Sequence, residues 1–185
     1  MKKILLHICC APCAIFPINL LKERGFKVQG FFFNPNIHPL REYNRRLEAV
    51  LSFAKTSSLE IDCSPYEPKL FFQVTNQKEE APVRCYACWQ LRLKQVALKA
   101  KENKFEYFTS TLLGSPYQDT TKLEEIGRQL AEETEVEFFI ADFKSGFRQA
   151  HNEARDLGIY CQKYCGCIYS EIERSKTKNE KICCK

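Results

Sequence analysis

The chain opens on a short apolar run, Ile4 to Ile8, set between Lys2-Lys3 and a thiol-rich turn. Short unbroken apolar runs of this length predict buried strands. Val28 to Phe33 is a second such run, Glu60 to Tyr66 a shorter third, Phe105 to Leu113 a fourth and Val136 to Asp142 a fifth. Between them apolar positions recur at helical spacing. Ala14 to Arg24 predicts a helix closed by Gly25, and Glu42 to Ala54 one with Leu47, Val50, Leu51 and Ala54 on its buried face. Leu70 to Val74 predicts a short helix behind Pro65 and Pro68, and Thr75 to Glu80 a polar connector. From about Arg84 to Glu102 a long helix is expected, with Trp89, Leu93, Val96, Ala97 and Ala100 inward and Arg92, Lys94, Lys99 and Lys101 facing elsewhere. Thr121 to Glu133 and Phe147 to Leu157 complete the set. Strands alternating with helices predict an α/β fold, a three-layer arrangement with a parallel sheet between helices, Rossmann-like in class. Residues 1–170 are expected to form one catalytic domain and residues 171–185 a polar, cysteine-containing C-terminal tail.

Composition narrows the chemistry. The 185 residues suffice for one well-buried core. No apolar stretch is long enough to span a membrane, and Met1-Lys2-Lys3 leads straight into the first strand without a small-residue cleavage site, so a cytoplasmic protein is expected. In a reducing compartment eleven cysteines point to metal binding or catalysis rather than a disulfide framework. The net charge of +5 permits a polyanionic partner such as RNA without demanding one.

Four features carry chemistry. Cys9-Cys10-x-x-Cys13 falls on the turn between the first strand and first helix, where open α/β sheets bind ligands and where a helix N-terminus stabilises thiolates. Cys85-x-x-Cys88 begins the long helix, its two thiols on one face. One such pair alone fits a redox dithiol or half a zinc site; two cysteine-rich helix N-termini together can supply four thiolates to zinc or to an iron–sulfur cluster. The expected metal ligands are Cys9, Cys10, Cys85 and Cys88, with Cys13 close by. Tyr164-Cys165-Gly166-Cys167 is the third feature: either a strained, labile disulfide or a second metal site. Loop polar groups are the fourth. Asp119 and Asp142 follow strands at the presumed active edge and are the candidate acids; Asn34, His38, Tyr43, Tyr117 and Arg148 are candidates for binding substrate. Cys63, Cys161, Cys183 and Cys184 are left out of the site.

Several motifs together resemble one family. His7-Ile8-Cys9-Cys10-Ala11-Pro12-Cys13, Phe33-Asn34-Pro35-Asn36-Ile37-His38-Pro39, Glu42-Tyr43 with Arg46, Arg84-Cys85-x-x-Cys88 with Arg92-Leu93, Thr109 to Pro116, Ala141 to Lys144 and Tyr164-Cys165-Gly166-Cys167 are similar to those of the QueH-type epoxyqueuosine reductases, over about residues 3–170. Cys161 departs from the pattern, standing where arginine is expected. The resemblance implies a nucleotide-hydrolase-like α/β fold and a cobalamin-independent oxidoreductase. Its reaction is the last step of queuosine biosynthesis, reduction of an epoxide on the modified wobble guanine of the tRNA anticodon. It further implies a 4Fe–4S cluster on Cys9, Cys10, Cys85 and Cys88, and Cys165 and Cys167 as a redox pair or as ligands of a second iron ion. The reaction needs two electrons and two protons, with Asp119, Asp142, Tyr117 or His7 as the acid. The alternatives are a zinc-stapled RNA- or nucleotide-binding module without redox chemistry, and a thiol–disulfide oxidoreductase acting on proteins.

Overall fold

A computed structural model describes residues 2–179, with side chains through residue 176. Strand β1 is Lys3–His7, α1 Ala11–Glu23, β2 Lys27–Phe32, α2 Leu40–Thr56, β3 Glu60–Cys63 and α3 Pro68–Thr75. Helix α4 follows at Val83–Glu102, then β4 Tyr107–Ser110, a single 3-10 turn at Thr111–Gly114, α5 Thr120–Thr134, β5 Glu137–Phe138, α6 Phe147–Asp156 and α7 Ile168–Asn179. The five strands form one sheet in the order β3-β2-β1-β4-β5, every neighbouring pair parallel. Helix α1 packs with α2 and α6, while α4 packs with α3 and α5 and lies against β1 and β4. The expected three-layer α/β architecture is therefore the one observed. Covering both faces explains why β1 reads as a continuous apolar run: Ile4, Leu5 and Leu6 are wholly buried.

Element limits differ from the expectation where sheet pairing runs out. The Ser110 side chain accepts a hydrogen bond from the Leu112 amide, which turns the chain into the 3-10 segment and ends β4. Strand β5 pairs only with Tyr107 and Phe108 of β4, so the run Val136 to Asp142 yields a two-residue strand. Strand β3 stops at Cys63, opposite the end of β2, and Pro65 follows. Helix α1 begins at Ala11, not Ala14, which places Cys13 inside its first turn. Two face assignments are corrected. Leu51 is exposed, and the buried face of α2 carries Glu42, Tyr43 and Arg46 instead. Arg92 does not face outward; it is only 1% exposed, beneath the sheet's carboxyl edge.

The order 3-2-1-4-5 reverses direction between β1 and β4. The segments leaving these two strands diverge there, opening the crevice in which doubly wound sheets hold ligands. Helix α7 runs across position 170 and is tied to α4 by the Arg84–Glu173 ion pair (2.8 Å). Cys183 and Cys184 lie outside the described residues.

Candidate functional site

The turn after β1 is built around thiols. Cys10 is the N-cap of α1, yet its side chain makes no capping bond, and Cys13 stands three residues on. In a capping box that spacing folds the two side chains back onto the first turn; here it brings two sulfurs together instead. Cys9 is fixed from the neighbouring strand. Its amide donates to Thr111 Oγ1 (3.1 Å), and the Thr111 hydroxyl donates to Cys9 Sγ (3.2 Å). The sulfurs of Cys9, Cys10 and Cys13 all lie within 4.8 Å of one another. Gln162 closes the group: its Nε2 donates to Cys10 Sγ (2.9 Å) and reaches Cys13 Sγ (3.8 Å), while its Oε1 is buried without a partner. Hydrogen bonds from Cys10 and Cys13 push the Cys9 thiol well below its ordinary range, with Arg92 and Thr111 adding to the effect. Burial pushes Cys10 up, and the neighbouring sulfurs push Cys13 up.

A second group of thiols gathers where the start of α4 meets the C-terminal segment. Cys85 and Cys88 sit in the first turns of α4, as the spacing requires. Cys88 packs with Cys167 and Phe71, and burial pushes its thiol up to about 12. Cys165 and Cys167 are charge neighbours of both Cys85 and Cys88. Around these four the described residues show no converging set of sulfurs like the first triad.

The Tyr164–Cys167 segment is fastened to the start of α2 by polar contacts. Arg46 donates to the carbonyls of Cys165 and Tyr164 (both 3.0 Å) and to Glu42 (2.8 Å). The His38 amide donates to the Gly166 carbonyl (2.8 Å), the Tyr164 hydroxyl donates to the His38 carbonyl, and the Tyr160 hydroxyl donates to Glu42 (2.6 Å). Gly166 is required here: its φ is +140°, and a Cβ would come 3.1 Å from Asn36 and Ile37 and 3.3 Å from Arg46.

Between these elements lies a cavity of about 1050 Å³, with Cys9, Cys13, Cys165 and Cys161 on its wall. Every charged side chain on that wall is cationic: Arg46 and Arg92 at the floor, then Lys144, Arg148, Arg155, Lys163 and Arg174. No carboxylate lines it among the described residues. Tyr117, 85% exposed, stands on the wall edge-on to Phe147 (6.3 Å, 84°).

Of the expected site residues, Cys9, Cys13, Cys165, Tyr117 and Arg148 line this cavity, and buried Cys10 joins the triad. Asp119 is the N-cap of α5, accepting from the Lys122 amide (3.0 Å) and the Tyr86 hydroxyl (3.2 Å). Asp142 accepts from the amides of Lys144 and Ser145 in a tight turn. Neither lines the cavity. Asn34 is buried, its amide donating to the Ile8 carbonyl (2.9 Å) and its oxygen accepting from Arg92 (2.8 Å). Tyr43 is buried, donating to the Ser64 carbonyl (3.2 Å). His38 is held between Phe71 and Phe72 and accepts at Nδ1 from the Ile168 amide (3.4 Å). His7 is also committed. Nε2 donates to the Phe33 carbonyl (3.1 Å), which leaves Nδ1 to accept from Ser110 (2.8 Å), and burial holds its pKa down at about 3. A buried neutral imidazole with both nitrogens engaged is a scaffold group.

Sequence reasoning missed Gln162, Lys163 and the inward role of Arg92. Arg92 had a readable signal: positions 85, 88 and 92 share one helix face. Gln162 had none, because nothing local shows that its segment returns to the β1 turn.

Known proteins match the chain over most of its length. A family model described as Epoxyqueuosine reductase QueH covers residues 4–173. A protein of that name from Dehalococcoides mccartyi is 37% identical over 173 residues, spanning 93% of this chain and 94% of the relative. One from Thermotoga maritima is 35% identical, spanning 97% and 96%. Among solved structures, a U34-tRNA thiolase, NcsA, from Methanococcus maripaludis with its [4Fe-4S] cluster superposes with a TM-score of 0.61 at 18% identity, covering 96% of this chain and 67% of that one. A predicted tRNA methyltransferase subunit from Methanocaldococcus jannaschii gives 0.56 at 10% identity, covering 84% and 75%. At such identities these two establish the shared fold. Among the described residues no helix is long and apolar enough to cross a membrane.

Proposed function

The chain belongs to the epoxyqueuosine reductase QueH family, and on that premise we propose that it reduces epoxyqueuosine at the wobble position of a tRNA anticodon to queuosine. One observation carries the reading to the geometry: three sulfurs lie within 4.8 Å of one another, and two of their residues, Cys9 and Cys13, line a large cavity whose charged groups are all cations. Thiolates of this density suit soft metals and iron–sulfur groups, and a cationic wall suits a polyanion. A Gln162 amide aimed at two of the sulfurs, and two buried arginines within charge range of them, fit a centre that gains negative charge when its thiols bind metal.

Cys9 and Cys10 with Cys85 and Cys88 are the proposed cluster ligands, Cys13 adjoining, and Cys165 and Cys167 the proposed redox or second-metal thiols. A 4Fe–4S group held there would supply electrons one at a time to a reaction that consumes two electrons and two protons and releases the epoxide oxygen as water. The chain's own residues do the rest. Tyr117 and Phe147 offer aromatic faces to a base drawn from the anticodon stack. Lys144, Arg148 and Lys163 hold phosphates along the rim. Asp119 caps α5 and Asp142 is engaged by the amides of a turn, so the proton for the departing oxygen is assigned to a wall group, with Tyr117, His151 and Cys165 within the cavity. Family membership weighs against a zinc-stapled module without redox chemistry.

The test is anaerobic purification, iron and sulfide analysis, and turnover of an anticodon stem-loop carrying epoxyqueuosine with dithionite as reductant. Loss of the epoxide on the RNA supports the reading. Iron- and sulfide-loaded protein that leaves the epoxide intact sinks it.

A further inference from the structure

Three arginines are buried near the site, and they differ in what balances them. Arg46 has Glu42 at 2.8 Å, and Arg84 has Glu173 at 2.8 Å. Arg92, 1% exposed, has no carboxylate within ion-pair distance among the described residues. Its Nη2 donates to the neutral amide oxygen of Asn34 (2.8 Å), its Nε is buried without a partner, and its Nη1 lies 4.0 Å from Cys88 Sγ. A lone charge is too costly to bury unless something pairs with it. Among the described residues, the thiol of Cys88 is the group in place to do so. Arg92 also borders the cavity together with Cys9 and Cys165, thiols from two other segments of the chain.

We propose that Arg92 is the internal counter-ion of the thiol centre, a positioning residue that stabilises the negative charge the sulfurs carry in the metal-loaded state. The proposal rests on the reading above for the identity of the group held, but not for the charge pairing. Helix α4 delivers the guanidinium one turn beyond Cys88, and Asn34, itself anchored to the Ile8 carbonyl, fixes its direction. A fixed positive charge beside a redox centre favours the reduced, more negative form, so it raises the reduction potential.

Two measurements test this on Arg92→Met, Arg92→Lys and Asn34→Asp proteins. The first is zinc affinity of the metal-free protein by chelator competition. The second is the midpoint potential after iron and sulfide reconstitution. Arg92→Met should weaken zinc binding about tenfold or more, the lower end of what one opposite charge does to a nearby thiolate, and shift the midpoint potential to more negative values. Arg92→Lys should restore most of both. Asn34→Asp keeps the side chain's shape and gives Arg92 a carboxylate, so it should move both quantities in the same direction as Arg92→Met. It also provides the test should Arg92→Met not fold. The proposal is overturned if Arg92→Met binds zinc and sets the potential as the parent does. It is equally overturned if Arg92→Lys behaves like Arg92→Met, since hydrogen-bond geometry and not charge would then be the role. Weakened RNA binding with an unchanged potential would make Arg92 a phosphate ligand and overturn it too. A protein whose zinc affinity depends on the charge at position 92 but that takes up no iron and sulfide keeps the counter-ion and defeats the iron–sulfur reading instead.

Discussion

Replacing Arg46 by Met should release the Cys-Gly-Cys wall while leaving the sheet intact. The Arg46 side chain is 2% exposed and spends its donors on Glu42, the Cys165 carbonyl and the Tyr164 carbonyl. Removing one partner of a buried ion pair costs about 3–5 kcal/mol, because the other charge stays behind. The two lost bonds to carbonyls from a charged donor fall within that figure rather than adding in full. The cost should be felt locally, since the bonds tie residues 164–165 to α2 and do not touch β1 or β4. Amide hydrogen exchange is the assay. The His38 amide, which donates to the Gly166 carbonyl, should exchange far faster, with Leu5 and Leu6 unchanged. Turnover should fall because Cys165 is no longer held at the cavity. Glu42→Gln combined with Arg46→Met should cost less than the sum of the two, since no charge is then stranded. Lys27→Met is the control: its pair with Glu60 is 3.7 Å long and more than half exposed, worth at most about 1 kcal/mol. An Arg46→Met protein that loses under about 1 kcal/mol in urea and keeps its His38 protection would refute the reasoning.

Three further outcomes are expected. Cys85→Ser or Cys88→Ser should lower iron and sulfide content and bleach visible absorbance; full retention of both would remove α4 from the ligand set. Arg148→Ala should weaken RNA binding and reduce the slope of log affinity against log salt by about one, and an unchanged slope would take Arg148 off the phosphate path. His38, whose pKa burial lowers to about 4, should make the protein less stable as pH falls from about 6.5 toward 4. The unfolded chain binds this proton first, so the contribution is complete above pH 6.5 and is lost on acidification. Protonation also removes the Nδ1 acceptor that meets the Ile168 amide. The loss should be on the order of 1–3 kcal/mol at this buried ring, and urea titrations of parent and His38→Gln that fall in parallel over this range would dismiss it.

What the sequence revealed and what it hid follow one division. Apolar runs mark strands here because both faces of the sheet are covered, and helical stripes mark helices, so the layers were legible. The thiol turn was legible because three cysteines sit within five residues at a strand–helix junction. Polar partners were not. Glu42 and Arg46 at i,i+4 look like a solvated surface pair, and only the returning C-terminal segment buries them. Arg92 looks like one of several basic residues on a long helix until Asn34 and Cys88 are found beside it. Asp119 and Asp142 follow strands at the right edge, yet the nearest donors are backbone amides just ahead in the chain, which makes Asp119 a helix cap and Asp142 a turn group.

The same division bears on how the site works. The β1 turn, α4 and the sheet's carboxyl edge are fixed by apolar packing, with Ile4, Leu5, Leu6, Leu93 and Val96 all fully buried. The segment carrying Gln162, Lys163 and Cys165 is fixed mainly by hydrogen bonds to Arg46, Glu42 and His38, and by the Arg45 guanidinium over Tyr160 (4.2 Å). Polar attachments with water as the alternative partner contribute less net stability than apolar burial of comparable extent. Lower local stability is where opening occurs in a folded chain. The cavity therefore has one wall set by the core and one wall hinged by polar contacts. Because Gln162 touches two sulfurs of the triad and Cys165 borders the cavity, movement of that second wall would uncover the thiol centre and widen the cavity together.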